Sequence, residues 1–203
     1  IQWIGDDVDQ GLASLVDPAN IANPDAAASV SSVLGEGYLA DALLANWDTV
    51  GFDIENIGIS KTGELIRIDN GAVFNFRAQG KLKAQDAPWH WREMSDLATL
   101  RNPDISPMYA PMAQAWEGHV VGGFTVAMKA QYQKIDALRS AYGGWRNFAR
   151  KHLPHAAEKD LDEFVRFLEV RQKKVAETLN IKYAEGEDLV RTTAMNRHIP
   201  PEV

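Results

Sequence analysis

Apolar residues recur every three to four positions in the C-terminal half of the chain, which is the spacing of one face of an α-helix. One series spans residues 124–138 and is followed by a helix-stopping Gly pair at 143–144, and a second series spans 161–179. A short helix around Trp145 is predicted between them, because Pro154 would end it. The predicted core positions are Phe124, Met128, Tyr132, Ile135, Leu138, Trp145, Phe148, Leu153, Leu161, Phe164, Val165, Leu168, Val175 and Leu179.

A shorter helix and a β-hairpin are predicted ahead of this half. Residues 37–47 place their apolar side chains on one helical face. Residues 57–60 and 65–68 have the composition of short strands, and the turn at 61–64 contains Gly63, which adopts φ > 0 at low cost. The sequence therefore predicts an α+β fold that is mainly helical. The predicted buried face of the first helix is Tyr38, Leu39, Ala42 and Leu43.

The flanking segments have weaker patterns. Residues 17–35 are rich in Pro, Asn and small side chains, which predicts a loop with at most one short helix. Residues 184–203 contain Gly186, Pro200 and Pro201 and little apolar periodicity, so loops or a short terminal helix are expected there.

Composition agrees with one folded domain, or with one large lobe of a larger domain. The chain has 203 residues, of which 45% are hydrophobic, enough to bury a sizeable core. No run of eighteen apolar residues and no signal-peptide pattern occurs, so a membrane span is not expected and a cytoplasmic location is. Because the chain contains no cysteine, disulfides, a catalytic thiol and a thiolate zinc site are excluded.

The negative charge is concentrated at the front of the chain. Residues 1–72 contain twelve Asp or Glu against two Lys or Arg, a balance of −10, whereas residues 73–203 have a balance of +3. An acidic surface attracts Mg²⁺ and repels polyanions, so nucleic acid is not an expected partner of this part.

Three polar side chains flank the predicted hairpin. Asp48 follows the first helix, Asn56 precedes the first strand and Asp69 follows the second. If the turn is centred between Thr62 and Gly63, paired residues have numbers that sum to 125, so Asn56 faces Asp69. Opposed side chains lie roughly 5 Å apart at Cβ, which lets an amide oxygen and a carboxylate share a hard cation such as Mg²⁺. Asp48 would then be the acid-base carboxylate of the site.

Each of these residues also fits an ordinary structural role. Asp48 could end a helix, Asn56 could lie in a turn, and residues 69–71 form a common turn tripeptide. The functional interpretation depends on their order and on the helix and hairpin between which they lie.

A loop acid, an Asn, a hairpin and an Asp-x-Gly sequence in this order resemble the catalytic and metal-binding loops of the protein-kinase-like fold. The Ile-Asp-Asn-Gly sequence at 68–71 resembles type II phosphatidylinositol 4-kinases and, more loosely, HipA-type bacterial kinases. The resemblance covers residues 37–77 and implies the large, C-terminal lobe of such a fold, with the hairpin carrying the active-site loops. It implies that Asp48 orients or deprotonates the acceptor hydroxyl, while Asn56 and Asp69 hold Mg²⁺ on the ATP phosphates.

The resemblance also implies residues that meet the nucleotide and the substrate. Trp3 and Ile4 lie in an apolar strand at 1–5, where a kinase hinge meets adenine, and Ile68 precedes the metal-binding Asp. Three basic residues lie where a kinase has its activation segment and are candidates for contacts with phosphate or an acidic substrate, although a solvated basic turn is an equally good interpretation. They are Arg77, Lys81 and Lys83.

The chain departs from the kinase pattern in the catalytic loop. Kinases separate the catalytic Asp and the metal-binding Asn by about five residues, whereas Asp48 and Asn56 are eight apart. The longer loop contains Asp53 and Glu55, either of which could replace Asn56 as a ligand. Trp47 stands in place of the Arg of the kinase His-Arg-Asp sequence and is expected to pack there.

A glycine-rich loop and a phosphate-binding Lys, which kinases carry in a small β-rich lobe, have no counterpart in this sequence. We therefore expect a missing upstream segment or another chain to supply the small lobe. The expected division is a hinge-like strand and linker at 1–16, a kinase-like large lobe at 17–183 and a C-terminal tail at 184–203.

The expected function is an ATP- and Mg²⁺-dependent phosphotransferase that acts on a hydroxyl group of a protein or lipid. Two alternatives stay open: a kinase-like module that has lost turnover and binds nucleotide or a partner, and a nucleotidyl transferase on the same fold.

Overall fold

The computed structural model describes residues 8–9, 34–46, 48–49, 56–60, 65–67, 73–74, 96–107 and 109–184. This part of the chain is mainly helical, as predicted. Its elements in chain order are β1 (Val8–Asp9), α1 (Tyr38–Leu44), β2 (Ile57–Ser60), β3 (Leu65–Arg67), α2 (Asp96–Thr99), α3 (Tyr109–His119), α4 (Gly123–Ala141), α5 (Trp145–His152) and α6 (Glu158–Thr178).

The three strands form one antiparallel sheet in the order β1-β2-β3. Ile57 pairs with Arg67 and Ile59 with Leu65, so paired residues have numbers that sum to 124. The expected sum of 125 is therefore wrong by one residue, and an Asn56–Asp69 pair does not follow from this register. A one-residue difference matters because successive side chains of a strand point to opposite faces.

The edge strand β1 was not anticipated. The sequence predicts a strand at residues 1–5, which lie outside the described residues, whereas β1 lies at Val8–Asp9. Val8 pairs with Ser60 and Asp9 with Ile59. The acidic composition of this segment gave no strand signal, because a two-residue edge strand needs only backbone pairing and not an alternating apolar face.

Helix α1 is buried along most of its length. Four residues of its predicted face, Tyr38, Leu39, Ala42 and Leu43, are each less than 5% exposed, as predicted. The helix is shorter than the expected 37–47 because Ala45 adopts a left-handed conformation, with φ of 53°. Left-handed residues end helices, since they turn the chain away from the helix axis.

The helices form two clusters of buried residues that share α1 and α6. The first cluster joins α1 to α3 and α4, and the second joins α1 to α5. The predicted periodicity of α6 is confirmed, since five of its predicted core residues are buried and Phe164 is partly buried. The five are Leu161, Val165, Leu168, Val175 and Leu179.

Two predicted core positions are wrong. Leu138 is 43% exposed, because Arg139 and not Leu138 continues the buried face that Met128 and Tyr132 begin on α4. Leu153 is 42% exposed, because α5 ends at His152 and the backbone leaves the helical conformation there.

Helix α3 was not predicted, and it completes the first cluster. Its Trp116 is buried and packs against Gly35 at the start of the segment that leads into α1. A Cβ atom on Gly35 would overlap the Trp116 indole ring. Gly35 is therefore required for the close approach of α3 to this segment.

Within the ranges described above, no helix combines the length and apolar character that crossing a membrane requires.

Substitution of Gly35 by Ala is expected to destabilise the protein by about 1–3 kcal/mol, because the indole ring has to move away from the new methyl group. Gly118→Ala is the matched control, since a Cβ atom at Gly118, in α3, meets no other atom within 4 Å. The control should leave the stability unchanged or raise it by up to about 1 kcal/mol. Urea unfolding of both variants measures the difference, and equal stabilities would contradict this packing.

Candidate active site

The C-terminus of α1 leads directly to the candidate catalytic residue. Its turn is closed by two backbone hydrogen bonds: the Ala45 N–H donates to the Ala42 carbonyl at 3.2 Å, and the Asn46 N–H donates to the Asp41 carbonyl at 2.8 Å. This pair of bonds around a left-handed residue is the Schellman arrangement. Asp48 follows it two residues later and is partly exposed, as a group that meets a substrate has to be.

Asn56 contacts Asp48 across the eight-residue separation. Its side-chain amide Nδ2 donates to the Asp48 backbone carbonyl at 2.5 Å, and the Asn56 side chain is only 5% exposed. An amide group has a donor end and an acceptor end, so the donor bond to Asp48 leaves Oδ1 as the end that can meet a cation. This hydrogen bond therefore joins Asn56 to the backbone of Asp48.

Phe74 attaches the segment after the Asp-x-Gly sequence to the same helix end. Its backbone N–H donates to the Leu44 carbonyl at 2.7 Å. Its ring makes edge-to-face contacts with Phe164 and Phe167 of α6, with ring centroids 5.3 Å and 4.9 Å away. The Phe74 backbone has φ of 56°, an uncommon conformation for a non-Gly residue that surrounding contacts have to stabilise.

Arg171 of α6 contacts the last turn of α1. The side chain is fully buried, donates from Nε to the Leu43 carbonyl at 2.7 Å and donates from Nη2 to the Ala42 carbonyl. The carboxyl end of a helix carries partial negative charge, so a guanidinium group is stabilised there. A buried charge is costly without such partners, which makes this contact a strong constraint on packing.

Neutral side chains from α3 and α4 bind the middle and the start of α1. The Tyr109 hydroxyl donates to Asp41 Oδ2 at 3.0 Å. Gln131 accepts from the Leu39 N–H at 2.9 Å and donates to the Gly35 carbonyl at 2.6 Å. Both ends of α1 are therefore fixed by buried polar contacts, which gives the loop that carries Asp48 a rigid base.

Two of the predicted site residues, Asp48 and Asn56, are described, and the structure brings them together. The other predicted site residues and the two alternative ligands lie outside the described residues. They are Trp3, Ile4, Asp53, Glu55, Ile68, Asp69, Arg77, Lys81 and Lys83. Trp47, expected to replace a kinase Arg, is also outside the described residues.

Sequence reasoning missed Phe74 and Arg171. Neither has a motif, and an Arg within an amphipathic helix is ordinarily taken for part of the solvated face. Glu169 and Gln172, the neighbours of Arg171, are buried as well, so α6 has a wide polar section inside the protein. A sequence signal for this burial is lacking.

The side chains around Asp48 fit a hard cation only in part. Asn56 Oδ1 is an oxygen ligand of the kind that Mg²⁺ prefers. Among the residues that the structure describes, no group of three His, Asp or Glu side chains is placed to hold a metal ion. A complete site would therefore need Asp69 or oxygen atoms of a bound phosphate.

Comparisons with protein-family models, curated proteins and solved structures found no match to this chain.

Asn56→Asp is expected to destabilise the protein by about 1–3 kcal/mol near neutral pH, because a carboxylate would face the Asp48 carbonyl without a proton to donate. Protonation of the introduced carboxyl restores a donor, so the loss should shrink as the pH falls from about 7 to about 4. Unfolding by urea across this pH range measures it.

Asn147→Asp is the control for this variant. The Asn147 side chain also donates to a backbone carbonyl, that of Tyr142 at 3.0 Å, but it is exposed to water. Its replacement should change the stability by less than about 1 kcal/mol. A pH-independent loss in the Asn56 variant, or an equal loss in the control, would refute the proposed hydrogen bond.

Proposed function

We propose that this protein is an ATP- and Mg²⁺-dependent phosphotransferase of the kinase-like kind, with a hydroxyl group of a protein or lipid as the acceptor. The observation that carries the proposal is the hydrogen bond from the Asn56 amide to the Asp48 backbone. It holds Asn56, the proposed metal ligand, against the backbone of Asp48, the proposed acid-base residue, although eight residues separate them. Phosphoryl transfer needs this combination more than it needs covalent help from the protein.

Asp48 has the role of orienting the acceptor hydroxyl and receiving its proton. A carboxylate suits this role because it accepts a hydrogen bond from the hydroxyl in the reactive orientation. Asp48 is partly exposed, while the backbone on both sides of it is tied down at Asn46 and through Asn56. A partly exposed group on a fixed backbone is the arrangement that positioning requires.

Asp69 is proposed as the second oxygen ligand on the basis of chain connection. It follows Arg67 by two residues, and Arg67 pairs with Ile57, the neighbour of Asn56. Two residues span at most about 7 Å, a distance short enough for Asp69 and Asn56 to share one cation. Five residues later, Phe74 is bonded to the end of α1. The described residues on either side of Asp69 are therefore both attached to the site.

Bound Mg²⁺-ATP would supply the phosphoryl group and neutralise the charge that develops on its oxygens. The acidic balance of −10 over residues 1–72 favours a divalent cation in this part of the protein. The resemblance to type II phosphatidylinositol 4-kinases and HipA-type kinases supports the same reaction. It also implies that a small lobe forms part of the nucleotide pocket.

Asp48→Asn is expected to preserve folding and ATP binding but to lower phosphoryl transfer about 10²-fold or more, because it keeps the shape and removes the acid-base group. The measurement is single-turnover transfer from γ-labelled ATP to protein and lipid hydroxyls. Asp104→Asn, at an exposed loop position, is the control and should retain full activity. Unchanged transfer in the Asp48 variant removes this residue from its role.

The same assay separates the alternatives. Transfer of label from α-labelled ATP would indicate a nucleotidyl transferase. ATP binding without any transfer by the unsubstituted protein would indicate a binding module.

Asp69→Ala is expected to abolish the Mg²⁺ dependence of ATP binding, because it removes a charged ligand of the cation. Calorimetric titration of ATP with and without Mg²⁺ or Mn²⁺ measures this, with Asp104→Ala as the control. Identical metal dependence in both variants and in the unsubstituted protein would exclude Asp69 as a ligand.

A further inference from the structure

We propose that Arg171 is a positioning residue for this site: it couples the loop that carries Asp48 to the segment that follows the Asp-x-Gly sequence. The inference rests on the proposed function as far as turnover is concerned. The coupling itself is a property of the described structure and can be tested without turnover.

The carbonyl groups at the end of α1 need hydrogen-bond donors from outside the helix. The last four carbonyl groups of a helix have no partner within it. Here they belong to residues 41–44, of which Asp41, Ala42 and Leu43 are buried and Leu44 is half-buried. Two carbonyls accept from the amides of the Schellman turn, and the other contacts come from distant parts of the chain.

The donors from distant parts of the chain are Arg171 and Phe74. Arg171 donates to the carbonyls of Ala42 and Leu43, and the Phe74 N–H donates to the carbonyl of Leu44. Three consecutive carbonyls are thus held by one side chain and one backbone amide. The direction in which the chain leaves α1 toward Asp48 therefore depends on both.

The two donors are also connected to each other through the Phe167 ring. The Arg171 guanidinium lies over the Phe167 ring, 5.0 Å from its centroid, and the Phe167 ring packs edge-to-face on Phe74. Arg171 is thus linked to Phe74 in two ways: through the Phe167 ring, and through the end of α1, where Arg171 binds the Leu43 carbonyl and Phe74 binds the Leu44 carbonyl. Loss of the guanidinium would remove a donor from the carbonyls of both Ala42 and Leu43 and a contact from the Phe167 ring that supports Phe74.

An arginine is needed because its planar group can do three things together. Its Nε and Nη2 atoms donate to two adjacent carbonyls while its face covers an aromatic ring. A lysine ammonium is a point charge on a flexible stem, so it can reach a carbonyl but cannot stack in the same way. Arg171→Lys should therefore keep part of the coupling between the end of α1 and Phe74, and Arg171→Met should keep none of it.

The control is a second buried arginine. Arg139 of α4 is 5% exposed and donates to Asp136 Oδ1 at 3.0 Å and to the Ala184 carbonyl at 2.9 Å. Its contacts, which include an ion pair with Glu169 of α6 at 3.7 Å, are of a similar kind but are made to α4, α6 and the segment after α6 and not to α1. Arg139→Met should lower stability without a specific effect on the site.

The experiment compares Arg171→Met, Arg171→Lys and Arg139→Met by amide hydrogen exchange and by steady-state kinetics. We expect the Phe74 and Asn46 amides of Arg171→Met to exchange at least about tenfold faster than the loss of global stability explains, as judged from amides in the middle of α4. We expect kcat to fall about tenfold or more with KM for ATP changed less than about threefold, because misplacement of the reacting groups affects the chemical step. The exchange rates and the kcat of Arg171→Lys should lie between those of Arg171→Met and those of the unsubstituted protein.

Exchange that accelerates equally at Phe74, Asn46 and α4 in Arg171→Met would overturn the proposal, since Arg171 would then stabilise the core only. So would the same site-specific effect in Arg139→Met. If Arg171→Met does not fold, Arg171→Lys and Phe167→Leu decide the question by the same exchange criterion. If the unsubstituted protein transfers no phosphate, the proposed function fails, but the exchange measurements still decide the coupling.

Discussion

A helix that ends inside a protein has to find partners for its last four carbonyl groups, and the arrangement around α1 follows from this requirement. Two carbonyls are satisfied locally by the left-handed turn at Ala45, and the others are bound by Arg171 and Phe74. An unpaired buried carbonyl costs about 1–3 kcal/mol, so these contacts constrain the fold. Helix α6 and the segment at 73–74 are thereby joined at one point.

That point lies two residues before Asn46 and four before Asp48, the proposed catalytic residue. Asn56 closes the loop from the far side, while the Schellman turn fixes the near side. The uncommon backbone conformations of Ala45 and Phe74 lie at the same place. Such conformations are stabilised by surrounding contacts and concentrate at functional sites.

The sequence located α1, α4, α5 and α6 but missed α3, and it gave little information on the partners of their polar groups. The apolar spacing of α1, α4 and α6 located these helices because a buried face repeats with the helical period. The same rule placed Leu138 in the core, where Arg139 lies instead, because periodicity cannot say whether a polar neighbour finds a buried partner. The sheet register was missed by one residue, since a turn of four residues permits more than one pairing.

By itself, the sequence determined that the part of the chain described by the structure is mainly helical and that Asp48 and Asn56 stand between a helix and a strand, because these properties are local. Only the tertiary structure decided that the Asn56 amide bonds to the Asp48 backbone and that Arg171 reaches α1 from 128 residues away in the chain. Contacts of this kind depend on which polar groups are shielded from water together. That is a property of packing between distant segments, and no single segment encodes it.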